Sequence, residues 1–101
     1  MAVIVVGAFR VSPGAESRFE AAFEQRPPTA GAPAPVEEVL FGRGQDQRGR
    51  YVRVGVWPSQ GAWQAFQTSE AQRAFWEDLR SSLSEDPTVD FYDLVSSWRA
   101  P

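Results

Sequence analysis

The chain opens on Ala2-Val-Ile-Val-Val-Gly-Ala-Phe9, a β-branched run without polar alternation, which predicts a strand buried on both faces. Ser12 then offers a hydroxyl N-cap with Pro13 at the first helical position, and Ala15, Phe19, Ala22 and Phe23 recur at helical spacing up to Arg26. Pro27, Pro28, Pro33 and Pro35 can neither continue that helix nor join a central strand, so 27–35 reads as a stiff extended connection, either a plain connector or the rim or lid of a pocket. Val36 to Gly44 predicts a second strand, Gln45 to Gly49 a polar turn, and Arg50 to Trp57 a third strand with strict alternation, together a hairpin. Pro58-Ser59 closes the hairpin and caps a short helix carrying Ala62, Trp63 and Phe66. Ser69-Glu-Ala-Gln72 is a capping box for a further helix with Ala71, Phe75, Leu79 and Leu83 as its inner stripe. Ser84 to Pro87 breaks it, and Val89 to Val95 is the last strand.

Strand, helix, strand, strand, helix, strand is the split βαβ order of an α+β, ferredoxin-like fold: an antiparallel four-stranded sheet with its helices on one face. Period two puts Tyr51, Arg53, Gly55 and Trp57 on one side of the third strand and Val52, Val54 and Val56 on the other. Helices cover only one side. The opposite side then exposes a valine row, and a second copy of the same sheet is its simplest cover, so a homodimer is expected.

At 101 residues the length suits one domain spanning 1–101, and 43% apolar against 23% charged residues is a globular composition. A net charge of −3, with ten basic residues scattered rather than clustered, argues against nucleic acid as a partner. The apolar stretch near the start is too short for a signal peptide or membrane span, so a cytoplasmic protein without a membrane partner is expected. No histidine or cysteine occurs. A histidine base, a serine–histidine relay, a cysteine nucleophile and a thiolate or imidazole metal site are thereby excluded. Gly42-Arg-Gly44 runs into a polar turn rather than a helix and fails as a dinucleotide fingerprint. No metal and no cofactor is expected.

The stretch Tyr51-Val-Arg-Val-Gly-Val-Trp-Pro-Ser-Gln-Gly-Ala-Trp-Gln-Ala-Phe-Gln-Thr-Ser69 resembles the antibiotic biosynthesis monooxygenase-like family, whose strand ends in tryptophan and is followed by serine, alanine, an aromatic and a second serine. The resemblance implies a dimeric α+β barrel over nearly the whole chain. It leaves the chemistry open between cofactor-free polyketide oxygenases, haem degraders and non-oxidative tailoring proteins. Haem degraders of this fold use an asparagine, a tryptophan and an axial histidine at positions matching Gly7, Phe66 and Trp76, and none of the three is kept. The cofactor-free oxygenases place asparagine, tryptophan and an aromatic where this chain has Arg53, Trp57 and Trp63. The aromatic pair is kept and asparagine has become arginine.

Arg53 is the leading candidate for chemistry, because strand parity sends a guanidinium toward the helices. It either pairs with Asp90 or Asp93, reaches solvent at the sheet edge, or stabilises a phenolate, enolate or carboxylate of a bound molecule. Asp90 and Asp93 on the last strand and Glu37 and Glu38 on the second are the plausible bases near the sheet; Asp90 and Asp93 point to opposite faces, and Asp90 is the candidate taken. Phe9, Trp57, Trp63, Phe66 and Trp76 are candidate walls for a small aromatic substrate, with Phe75 beside them, and Tyr51 and Tyr92 candidate hydroxyl contacts; core packing is the competing explanation. The expected function is cofactor-independent tailoring of an aromatic polyketide-like phenol or anthrone in secondary metabolism. A non-oxidative cyclase, isomerase or dehydratase on the same scaffold, or a non-catalytic binding accessory, needs the same residues.

Overall fold

A computed structural model describes residues 2–25 and 38–98. The strands are β1 (Val3–Arg10), β2 (Glu38–Arg43), β3 (Arg50–Trp57) and β4 (Thr88–Asp93); the helices are α1 (Glu16–Gln25), α2 (Gln60–Gln67) and α3 (Glu70–Leu79), the last followed by a 3-10 turn, Arg80–Ser82. The sheet runs β2-β3-β1-β4 with every neighbouring pair antiparallel, the expected ferredoxin-like α+β arrangement. The central pair, β1 and β3, carries the longest ladder, as befits the two most β-branched segments.

The predicted caps of α2 and α3 form: Ala62 N donates to Ser59 Oγ at 3.1 Å, and Gln72 N to Ser69 Oγ at 3.4 Å. Three boundaries differ by more than one residue. Ser12 and Pro13 build a turn instead of capping α1: Gly14 adopts φ +92, Ala15 N bonds Ser12 O at 3.0 Å, and the helix starts at Glu16. Leu83 belongs to no helix. The chain tightens into the 3-10 turn after Leu79 and Leu83 bridges Val11, with Ser84 N on Arg10 O at 2.9 Å, so the segment extends the pairing of β1. The last strand ends at Asp93 rather than Val95, and Leu94 N bonds the Ala2 carbonyl at 2.9 Å just past it. The end expected for the first helix, Arg26, the proline-rich connection, 27–35, and the start expected for the second strand, Val36 and Glu37, lie outside the described residues.

The hairpin β2–β3 closes through a turn that requires glycine. Gly49 has φ +76, and a Cβ there would sit 2.5 Å from the Val11 carbonyl oxygen, the residue whose N–H bonds Gly49 O at 2.7 Å.

Register fixes the two faces. Val3, Val5, Gly7 and Phe9 of β1 lie beside Trp57, Gly55, Arg53 and Tyr51 of β3 on the helix side. Ile4, Val6 and Ala8 lie beside Val56, Val54 and Val52 on the other, joined there by Leu40 and Tyr92, which are 58% and 55% exposed. The helix side holds two separate clusters. One is Phe9, Phe19, Phe23, Tyr51, Phe75 and Leu79 with Phe41 and Trp76 against it; the other is Val3, Val5, Trp57 and Phe66 with Trp63 and Phe91.

Candidate functional site

The middle rows of the inner sheet face separate these clusters, and they are the rows that carry the least side chain. Gly7 sits opposite Arg53, and Gly55 opposite Val5. In each case the aromatic two residues further along the strand folds back over the glycine. A Cβ at Gly7 would come 3.2 Å from the Phe9 ring, and one at Gly55 3.0 Å from Trp57 Nε1. Both strands thus repeat the pattern glycine, any residue, aromatic, with the ring folded over the glycine and Arg53 set between the two clusters.

Above that floor lies a cavity of about 590 Å³, a size typical of small-molecule sites. Phe9 and Trp76 wall it on one side, Trp57, Trp63 and Phe66 on the other, and Arg53 occupies its floor. The walls pack against further rings: Trp76 stacks on Phe9 with ring centroids 5.3 Å apart, Trp57 meets Phe66 at 5.0 Å, and Trp63 packs edge-on against Phe91 at 5.1 Å.

Arg53 Nη1 is buried and has no hydrogen-bond partner among the described residues, and no described carboxylate lies within ion-pair distance of the guanidinium. Burial alone pulls its pKa down to about 10. The group therefore remains a cation at neutral pH, held in a place that disfavours cations.

Six of the expected site residues meet at the cavity: Phe9, Arg53, Trp57, Trp63, Phe66 and Trp76. Three do not. Asp90 and Tyr92 stand on the helix-free face, because Val89, Phe91 and Asp93 take the inward register against Gly7, Val5 and Val3; both are exposed. Asp90 is therefore neither a base in this cavity nor a partner for Arg53. Asp93, on the inward side, is exposed at the end of β4 and does not line the cavity either.

Tyr51 is 1% exposed and sits in the aromatic cluster, not at the cavity. Its hydroxyl donates to Glu20 Oε2 at 2.5 Å, and Glu20 also accepts from Arg43 Nη1 at 3.0 and 3.1 Å. Desolvation and the Glu20 carboxylate push the Tyr51 pKa up to about 12, while the bond from Tyr51, with Arg43 assisting against desolvation, holds Glu20 below its usual value.

The cavity also gathers residues that the sequence did not single out. Glu77 on α3 and Asp86 in the Ser84–Pro87 break are the described carboxylates that line it, and Gln67, Arg73 and Arg80 line it too. Asp86 was hidden because a segment of serine, acid and proline reads as punctuation, and Gln67 because helix-terminal glutamines are ordinarily solvated. The glycine–aromatic repeat was a usable signal.

The family model for antibiotic biosynthesis monooxygenase matches residues 2–78. Solved structures with the same fold include a protein of that group from Bordetella bronchiseptica, at 24% identity and TM-score 0.82, with 94% of this chain and 98% of that one covered. Another is from Caulobacter crescentus CB15, at 18% identity and TM-score 0.82, covering 94% and 91%. SnoaB, a cofactor-independent oxygenase from Streptomyces nogalater, aligns at 21% identity and TM-score 0.79 over 95% of both chains. None of the curated proteins matches the sequence. With three quarters of its length under one family model and the same fold in those structures, the chain belongs to the antibiotic biosynthesis monooxygenase family.

Proposed function

We propose that this protein oxygenates an electron-rich aromatic, a phenol or anthrone of the polyketide kind, as a cofactor-independent tailoring enzyme of secondary metabolism. One observation carries the reading: a half-buried arginine, its Nη1 buried without a partner among the described residues, lines the floor of a cavity walled by five aromatic side chains. A charge in that position is costly unless an anion joins it, and an arginine fork suits an oxyanion.

The chemistry needs little else. An anthrone that loses a ring proton becomes an enolate whose oxygen rests against Arg53. Stabilisation of such developing charge in a dry site is typically worth a few kcal/mol. The cavity carboxylates, Glu77 and Asp86, are the groups there able to take the proton. The enolate gives one electron to dioxygen, and the resulting radical and superoxide combine to form a carbon–oxygen bond. The peroxide anion takes up a proton, and loss of water with the second proton of that carbon leaves the quinone. One dioxygen is consumed, one oxygen atom enters the product and the other leaves as water. The walls hold the ring in place and keep bulk water away from the anion.

We further propose that two copies pair through the helix-free face, where Leu40, Val52 and Tyr92 are exposed beside the β1 and β3 aliphatic rows. A self-complementary sheet face buries these in an isologous contact. Gel filtration with light scattering should give a dimer, and a stable monomer at micromolar concentration would reject it. Among the described residues no helix is long and apolar enough to cross a membrane.

The deciding measurement is oxygen uptake, with product mass, when metal-free protein meets dithranol and a panel of naphthols. Uptake with one added oxygen and two lost hydrogens supports the oxygenase. A changed product without uptake assigns cyclase, isomerase or dehydratase chemistry, and binding without product assigns an accessory role. Arg53→Ala should cut turnover at least tenfold in the first two cases.

A further inference from the structure

The helix-free face carries charge at its margins, and the two signs stand apart. Arg10 and Arg50 are directly opposite one another in the last row of the β1–β3 ladder, on the side that Val52, Val54 and Val56 also take. Like charges so placed repel and weaken a sheet. Arg10 has outlets within the chain, Gln47 Oε1 at 3.1 Å and Glu85 Oε1 at 3.8 Å. Arg50 is exposed and has no ion pair among the described residues. The acids of the face lie on its two edge strands: Glu38 opposite Val56 on β2, and Asp90 opposite Val6 on β4. Both are exposed, and neither has an ion pair among the described residues. An aliphatic middle separates them from the arginines.

A second copy laid on this face is related to the first by a two-fold axis in the plane between the two sheets. An axis running along the strands sets the arginine end of each copy on that of the other and gathers Arg10 and Arg50 twice over. An axis across the strands, or diagonal to them, carries the arginine end toward the far end or an edge of the other sheet. Glu38 and Asp90 stand on those sides. Charge therefore tells apart orientations that the aliphatic middle alone does not.

We infer that this face receives a second copy of the chain in one orientation, in which the arginine end of each copy meets the acidic edge strands of the other and Arg50 is met by the carboxylates of Glu38 and Asp90. This rests on the proposed pairing through the helix-free face and fixes how the two sheets are turned. Burial of the aliphatic middle drives association, and the marginal charges set orientation and reject wrong partners.

Sedimentation over a dilution series, with charge-reversed variants, tests it. Arg50→Glu places an acid against acids, and Glu38→Arg combined with Asp90→Arg places arginines against an arginine. Each should weaken self-association at least about tenfold. Mixed in equal amounts, the two should form a mixed dimer, recognised by its mass in native mass spectrometry, about as tight as wild type. Arg73→Glu changes net charge as much on the helix side and should leave association unchanged. Circular dichroism checks folding. Arg50→Gln, expected to weaken association about threefold, replaces Arg50→Glu if that variant does not fold, and an unchanged constant counts equally against the inference. Unchanged or tighter association of Arg50→Glu, absence of the mixed dimer, or equal weakening by Arg73→Glu overturns the orientation while a wild-type dimer leaves the pairing itself intact. A wild-type monomer at micromolar concentration overturns both.

Discussion

Tyr51 and Arg53 stand two residues apart on one strand and face the same way, yet the protein treats them oppositely. Around Tyr51 the space is filled: Phe19 lies 5.1 Å away, Phe41 stacks on it at 5.5 Å, and its hydroxyl is used by Glu20. Around Arg53 the floor is glycine and the polar atoms are unpartnered. The difference separates two purposes that composition alone confounds. Where a buried polar group has its partner, the surroundings hold the fold together; where it has none and a cavity adjoins it, the surroundings await something from outside.

Breaking the filled region should cost most. Phe19 is fully buried and packs against Phe9, Phe23, Phe41, Tyr51 and Trp76. Phe19→Ala should lower unfolding free energy by about 3–5 kcal/mol in urea titrations, a large part of the roughly 5–15 kcal/mol a domain has. A loss below about 1 kcal/mol would mean that this cluster is not what anchors the sheet.

The open region should respond with the opposite sign. A lowered arginine pKa means that the folded state disfavours the cation, so at neutral pH Arg53 costs stability, and the cost is relieved only as pH rises past about 10. Arg53→Met should therefore raise the unfolding free energy, by up to about 3 kcal/mol, while weakening dithranol at least about tenfold. Stability gained where binding is lost is the signature of a group retained for function. A destabilised variant would instead make Arg53 part of the scaffold.

Tyr51→Phe should cost less than the Phe19 change, losing about 1.5–3 kcal/mol because its hydroxyl bonds a carboxylate and leaving dithranol binding unchanged, since Tyr51 does not line the cavity. Altered binding would join the two regions that the structure keeps apart.

The sheet and its faces were legible because strand signals here are local: β-branched runs, strict alternation in β3 and turn residues between. The aromatic walls and Arg53 were legible for the same reason, since parity on β3 places them together. Asp90 and Tyr92 were misplaced because β4 has weak alternation, and its inward register is chosen by Phe91 meeting Trp63, a tertiary contact. Tyr51 lay on the expected face, but whether it reached the cavity depended on Glu20, thirty-one residues away in the chain. Alternation reports direction and says nothing of what already occupies the space. Helix boundaries shifted where backbone pairing overrode pattern, as at Leu83, whose apolar side chain fits a helix stripe but whose segment pairs with Val11.

The smallest expected effect concerns the partnered region and its dependence on pH. Glu20 has a lowered pKa from the Tyr51 bond, so its contribution is complete above the ordinary value of 4.5 and fades as pH falls through the lower folded value. Tyr51 has a raised pKa, so its contribution is complete below 10.0 and fades as pH rises toward about 12. The difference in stability between wild type and Glu20→Gln should then be a plateau, flat from about pH 5 to 10 and shrinking on both sides. Glu20 is partly open to solvent, with 29% of its side chain exposed, so a plateau of about 1 kcal/mol or less is expected. Arg53 would add a rise of the opposite sign above about pH 10 in both proteins, and taking the difference cancels it. A difference that persists unchanged to pH 3 would mean that the Tyr51 bond does not depend on ionised Glu20, and the contrast between a satisfied and an unsatisfied polar group would then rest on packing alone.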